Sequence, residues 1–344
     1  MKSSIILIIP YFGRFHSYFQ LWLQSCKYNR TINWLILTDD DTEYDYPTNV
    51  KVVYTGFEAV VNDFQKCYDF PIVLNKPYQL CEFKVAYGEV FAQFTEGYDF
   101  WGHCDIDVIW GNLRSHLNEN ILQTFSKISW RGHLTLYKNT AHVNTLYRTP
   151  IDGIDFYKYA FANPTGFPLA PDERAINFLY ETQGEKIYKE LMFADLKIRS
   201  FNFSLLHFPE EENYKNQHQI FLWDNGNLLR LYTNDGKVYK EDFAYIHFLK
   251  RNMELAKGFV FNNRFLIVPN KFINIDGEVT AEMIVKLSTQ KMYWSYLFER
   301  LTPSYVVSKI KYKKSKEQFN KQFYFVPIKS VKLKLPGYKS PTLS

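Results

Sequence analysis

The chain is expected to fold as an α/β domain, and three observations carry that expectation. Two short, almost wholly apolar runs, Ser4–Ile9 and Trp34–Leu37, flank a segment with helical spacing of its large side chains. A third apolar and aromatic run begins near Tyr98 and ends in Asp105-Ile106-Asp107, with a turn signal at Gly111-Asn112. The 344 residues are 46% hydrophobic and 18% aromatic, enough apolar surface for a large core and too much for a disordered chain.

Taken in order, Ser4–Ile9 is a fully buried type of strand, closed by Pro10-Tyr11-Phe12-Gly13. Phe15 to Cys26 is expected to be a helix, with Phe15, Phe19, Leu21, Trp22 and Leu23 on a broad apolar face. Trp34–Leu37 is a second strand, followed by Thr38-Asp39-Asp40-Asp41, and Val50–Tyr54 a third. Strand, helix, strand implies parallel strands that meet ligands at their carboxyl ends. Pro10 to Arg14 and Thr38 to Asp41, with Pro10, Tyr11, Thr38 and Asp39 foremost, are therefore expected in the walls of a nucleotide pocket. The aspartates equally suit a capped, solvated loop. No glycine-rich dinucleotide fingerprint or P-loop occurs.

After Pro77 an amphipathic helix is expected, with Leu80, Phe83, Tyr87, Val90 and Phe94 at helical spacing. Lys84 lies near that apolar face and needs a partner, either a diphosphate or Glu82 or Glu89. In extended backbone Asp105 and Asp107 point to the same side, and two crowded carboxylates are costly without a cation. Their oxygen ligands suit Mg²⁺ or Mn²⁺; a solvated turn is the other reading. Further on, Leu134–Tyr137 is a strand and Pro171-Asp172-Glu173 opens a helix that runs to Thr182. Asp224-Asn225-Gly226-Asn227 and Asn234-Asp235-Gly236 are hairpin signals. His247 alternates out of the apolar run Phe243–Leu249, with Lys250 three residues later.

The four cysteines, Cys26, Cys67, Cys81 and Cys104, show no metal or disulfide spacing and fit a reducing cytosol. The opening apolar run is too short for a signal peptide or a spanning helix, so the protein is expected to be soluble or attached only at a membrane surface. Between Lys309 and Lys339, ten lysines and one glutamate give +9; the whole chain carries +5, leaving −4 elsewhere. Basic residues interleaved with Phe319, Phe323, Tyr324 and Phe325 suit an anionic membrane. No nucleic-acid-binding motif accompanies them.

The order of these elements resembles the GT-A glycosyltransferases, most closely retaining, glycogenin- and galactosyltransferase-like enzymes of bacterial surface polysaccharides. His103-Cys104-Asp105-Ile106-Asp107 is similar to their Asp-x-Asp strand end. Pro171-Asp172-Glu173 resembles a Pro-Asp-Gln helix start, and His247-Phe248-Leu249-Lys250 matches in part a His-Phe-x-Gly-x-x-Lys segment. Lys76 to Leu113 also resembles an uncharacterised bacterial capsule-locus family. The resemblance spans roughly residues 3–255. It implies a GT-A catalytic domain over 1–255, with a nucleotide-binding half to about 113 and an acceptor half beyond, and a basic C-terminal extension over 256–344.

What the resemblance implies chemically is metal-assisted transfer of a sugar, galactose or a related hexose, from a UDP-sugar to a lipid-linked acceptor. Asp105, Asp107 and His247 would hold Mn²⁺ or Mg²⁺, with Lys250 and Lys84 facing the diphosphate. A retaining enzyme needs no strong base; an inverting one would use Asp172 or Glu173. The acceptor would be a polyprenyl-diphosphate-linked glycan, and the location cytoplasmic, on the inner face of the plasma membrane. Other classes remain: a metal-dependent phosphoesterase, which would need a denser ligand set, and a non-catalytic sugar-binding protein, which leaves the Asp-x-Asp unexplained.

Overall fold

The computed structural model describes residues 2–164, 169–197, 202–208 and 217–289, with scattered positions between 302 and 317. It is an α/β fold built on three sheets. The largest contains β1 (Ile5–Pro10), β2 (Ile32–Thr38), β3 (Val50–Tyr54), β4 (Phe100–Cys104), β6 (Lys127–Arg131), β7 (Leu134–Lys138) and β8 (Ile187–Tyr188). Their spatial order is β3-β2-β1-β4-β7-β6-β8. The first four strands are parallel, and β7 joins β4 antiparallel. Side-chain alternation explains why these strands are apolar throughout. Ile5, Leu7 and Ile9 pack on one face with the helix Phe19–Lys27, whereas Ile6 and Ile8 pack on the other with the helix Phe57–Lys66.

A second sheet has six strands: β10 (Gln219–Asp224), β11 (Asn227–Asn234), β12 (Lys237–Phe243), β14 (Glu254–Leu255), β15 (Arg264–Val268) and β16 (Lys271–Asn274). Asn225 and Gly226 both have positive φ, 47° and 86°, as the two-residue turn between β10 and β11 requires. The third sheet is small and sets the site: β5 (Val108–Trp110), β13 (Tyr245–His247) and β9 (Phe193–Asp195), in the order β5-β13-β9.

Several expectations are corrected. The run from Tyr98 is not one strand: β4 ends at Cys104, the chain bends through Asp105–Asp107, and β5 pairs in a different sheet. The helix expected from Phe15 begins at Phe19, because the Asp40 carboxylate holds the Phe15 N–H in a loop (2.8 Å). The segment after Pro77 is a 3₁₀ helix, Pro77–Ala86, followed by two single turns. Leu80, Phe83 and Ala86, all buried, recur every three residues, the period of that tighter helix. The boundary expected at residue 255 falls inside the six-stranded sheet, where β15 pairs with β10 and β14 with β16. No helix among the described residues is long and apolar enough to cross a membrane. Most of the basic segment 309–339, on which membrane attachment was expected, lies outside the described residues.

Candidate metal centre

Three remote segments meet just beyond the carboxyl end of β4. Asp105 and Asp107 occupy the bend between β4 and β5. In the small sheet, β13 pairs with β5 on one side, setting His247 opposite Val108, and with β9 on the other, setting His247 opposite Asp195. The backbone locks this arrangement: Phe248 N–H donates to the Asp107 carbonyl (2.9 Å) and Leu196 N–H to that of His247 (3.1 Å). His247 Nε2 lies 3.4 Å from Asp107 Oδ1 and 4.0 Å from Asp105 Oδ2. Ligand atoms of Asp105, Asp107 and His247 all fall within 4.8 Å of one another. Two carboxylates and an imidazole, partly open to solvent, are a donor set suited to Mn²⁺ or Mg²⁺.

The charge balance fits a cation. Burial alone would lower the His247 pKa, but Asp107 and Asp195 outweigh it and raise the imidazole to about 10. The Asp107 carboxyl is held well below the usual range: burial opposes this, but His247 and the Lys250 N–H win. In the metal-free chain a proton thus supplies the positive charge that an ion would supply. A second group, His133, Asp195 and His247, is also compact, but most of its ligand atoms are engaged: His247 Nδ1 is 2.9 Å from Asp195 Oδ1, Asp195 Oδ2 is 3.0 Å from His207 Nε2, and His133 Nδ1 is 2.8 Å from the Tyr245 hydroxyl.

Lys84 is buried and does not face open space. Its ammonium donates to Asp105 Oδ1 (2.7 Å) and to the Gly132 carbonyl (2.9 Å), so its partner is neither Glu82 nor Glu89. Lys250 reaches Asp107 through its backbone N–H (3.1 Å); its exposed ammonium donates to the Tyr78 hydroxyl (2.9 Å). Asp172 is buried against Gly132, where a Cβ would come within 2.4 Å of its carboxylate; glycine allows that approach. Burial raises the Asp172 carboxyl to about 7, with Lys84 opposing and Glu173, Glu82 and Asp105 adding to the rise. Glu173 accepts from the Gly132 N–H (2.9 Å) and from Arg131 (3.1 Å).

The expected pocket wall is only partly realised. Pro10 ends β1, and Tyr11, which follows it, stacks on Phe15. Thr38 is wholly buried and its hydroxyl accepts from the Asp40 N–H, so it cannot serve as a ligand contact. Asp39 stays at the surface and accepts from the Gly13 N–H (2.7 Å). Asp40, in contrast, is buried and pins the loop through Phe15, Arg14 and Thr42. Asp195 and His133 flank His247 and His207 sits behind Asp195, and sequence reasoning missed all three. The one signal available was an apolar run, Leu191–Ala194, ending in an acid.

A model described as a family of unknown function (DUF6625) matches residues 7–276, a span that contains every residue of this site. No curated protein matches the chain.

Proposed function

The chain belongs to the family of unknown function DUF6625, and we propose that it is a metal-dependent glycosyltransferase of GT-A type that uses a nucleotide-diphosphate sugar. The observation that carries this reading is the convergence of Asp105, Asp107 and His247 just beyond the carboxyl end of β4, beside β1. The strand order turns at this point, β2 lying on one side of β1 and β4 on the other. Open parallel sheets bind ligands there, outside the strands' carboxyl ends.

Bound at the three residues, Mn²⁺ or Mg²⁺ would act as a Lewis acid toward the diphosphate as negative charge builds on it. Lys84 offsets the Asp105 charge and keeps the Asp-x-Asp bend from springing apart. Lys250, exposed at the rim, can exchange Tyr78 for a phosphate oxygen. In a retaining transfer, the reading favoured here, the departing phosphate oxygen takes the acceptor's proton. Asp172 supports an inverting alternative, since a buried carboxyl titrating near 7 suits a general base. The anomeric configuration of the product separates the two.

The donor is proposed to be a UDP-hexose and the acceptor a polyprenyl-diphosphate-linked glycan, reached by docking the basic residues 309–339 on anionic lipid. Co-sedimentation with anionic but not neutral vesicles, lost at high salt, is the expected result for that attachment. The central test is release of UDP or GDP from a panel of nucleotide sugars by the purified protein with Mn²⁺. Release abolished by EDTA is expected; none from any donor, with or without acceptor glycans, would refute the reading.

A further inference from the structure

A chain of side chains runs away from the candidate metal centre into the protein, and it begins at His247. Asp195 is 4% exposed and lies beside His247 in the parallel register of β9 and β13. Its two oxygens are both used. Oδ1 is 2.9 Å from His247 Nδ1, and Oδ2 is 3.0 Å from His207 Nε2. A carboxylate oxygen facing a ring nitrogen at hydrogen-bond distance accepts from it, so both nitrogens carry hydrogen. His207 Nδ1 is then the accepting atom toward Arg131 Nη2 at 3.3 Å. Arg131 in turn grips Glu173. The His207 backbone is held at φ +71°, a left-handed conformation that only the surrounding contacts maintain.

We propose that Asp195 is the positioning residue of the site: it fixes the ring plane of His247, and its tautomer once an ion is bound, keeping Nδ1–H turned inward and Nε2 turned toward Asp105 and Asp107. His207, itself oriented by Arg131, holds Asp195 in place from the other side. This rests on the reading of Asp105, Asp107 and His247 as a cation site. It goes beyond that reading because Asp195 touches neither the carboxylate pair nor any atom that would react. Metal-bound imidazoles are commonly oriented by such a carboxylate, and its loss typically weakens metal binding about 10–100-fold.

The experiment compares the full-length wild type with Asp195→Asn and His207→Gln, using Mn²⁺ titration calorimetry and ¹⁵N–¹H imidazole spectra of the Mg²⁺-loaded protein. The wild type should bind Mn²⁺ and show His247 protonated at Nδ1. Asp195→Asn should bind at least about tenfold more weakly and lose the downfield Nδ1–H signal. His207→Gln leaves the carboxylate in place and should give a smaller loss, which guards against a first variant that fails to fold. A merely structural role would lower the melting temperature without moving the Nδ1–H signal. Wild-type binding matched by both variants, with that signal unchanged, overturns the proposal and leaves the cation site standing. No Mn²⁺ binding by the wild type overturns both.

Discussion

Metal binding should be steeply pH-dependent, because the ion must displace the proton on His247. Flanked by Asp107 and Asp195, that imidazole titrates near 10. One proton is then released per ion throughout the neutral range. The association constant for Mn²⁺ should rise about 100-fold between pH 6 and pH 8, about 2.7 kcal/mol. An imidazole at its ordinary value near 6.5 would give only about fourfold over the same interval. Calorimetry at pH 7 in buffers of different ionisation heat counts the protons directly: about one is expected, against roughly a quarter for an unperturbed imidazole. The sign also fixes the behaviour of the metal-free chain. A raised folded-state value means that imidazolium stabilises the fold fully below about pH 6.5, and that this stabilisation is lost as pH rises through about 10. The melting temperature without metal should therefore fall across that window, and Mg²⁺ should offset the fall. An affinity for Mn²⁺ that is flat from pH 6 to 8, or a proton count near zero, would refute the reasoning.

Asp105→Ala and Asp107→Ala should each abolish nucleotide release from a sugar donor while circular dichroism stays native; turnover near wild type at saturating Mn²⁺ would rule out both as ion-side groups. Lys84→Met should destabilise the metal-free protein by about 2 kcal/mol, less than the 3–5 typical of a fully buried pair, because Asp105 keeps a third of its side chain in water. Mn²⁺ should then raise the melting temperature of this variant more than that of the wild type. Gly88→Ala should cost about 3 kcal/mol in denaturant unfolding, since its Cβ would stand 2.2 Å from the buried Trp101 ring; an unchanged midpoint would mean the ring has room to move.

The parts legible in sequence were those whose cause is local. β1, β2 and β3 declare themselves by apolar runs, and the Asn225-Gly226 and Asp235-Gly236 turns by residues that accept positive φ. Asp105 and Asp107 could be singled out because two carboxylates crowded at the end of an apolar strand call for a cation; His247 joined them only through the resemblance of His247-Phe248-Leu249-Lys250. What stayed hidden depends on pairing between distant segments. The partner of Lys84 lies on another element, and nothing near Asp195 in the chain announces that β9 will lie beside β13. The same holds for the boundary placed at residue 255. Composition shifts only in the lysine-rich tail, whereas the sheet closes through β15 and β16 long after the last matched motif. The broken helix after Pro77 was missed because periods of 3.0 and 3.6 residues are hard to separate over three turns.

The three-stranded sheet also dictates when, during synthesis, the centre can come into being. It draws its strands from around residues 109, 194 and 246, and none of the three pairs with a strand adjacent in sequence. A nascent chain could complete β1–β4 and display the Asp-x-Asp bend while β13 is still untranslated. At that stage the carboxylates lack their histidine and their closing backbone bonds. Long-range pairings of this kind form late, after the cost of closing long loops has been met. An unfinished or truncated polypeptide therefore carries the two acids without their histidine, and the three residues come together only in a molecule translated past His247 and docked across all three strands.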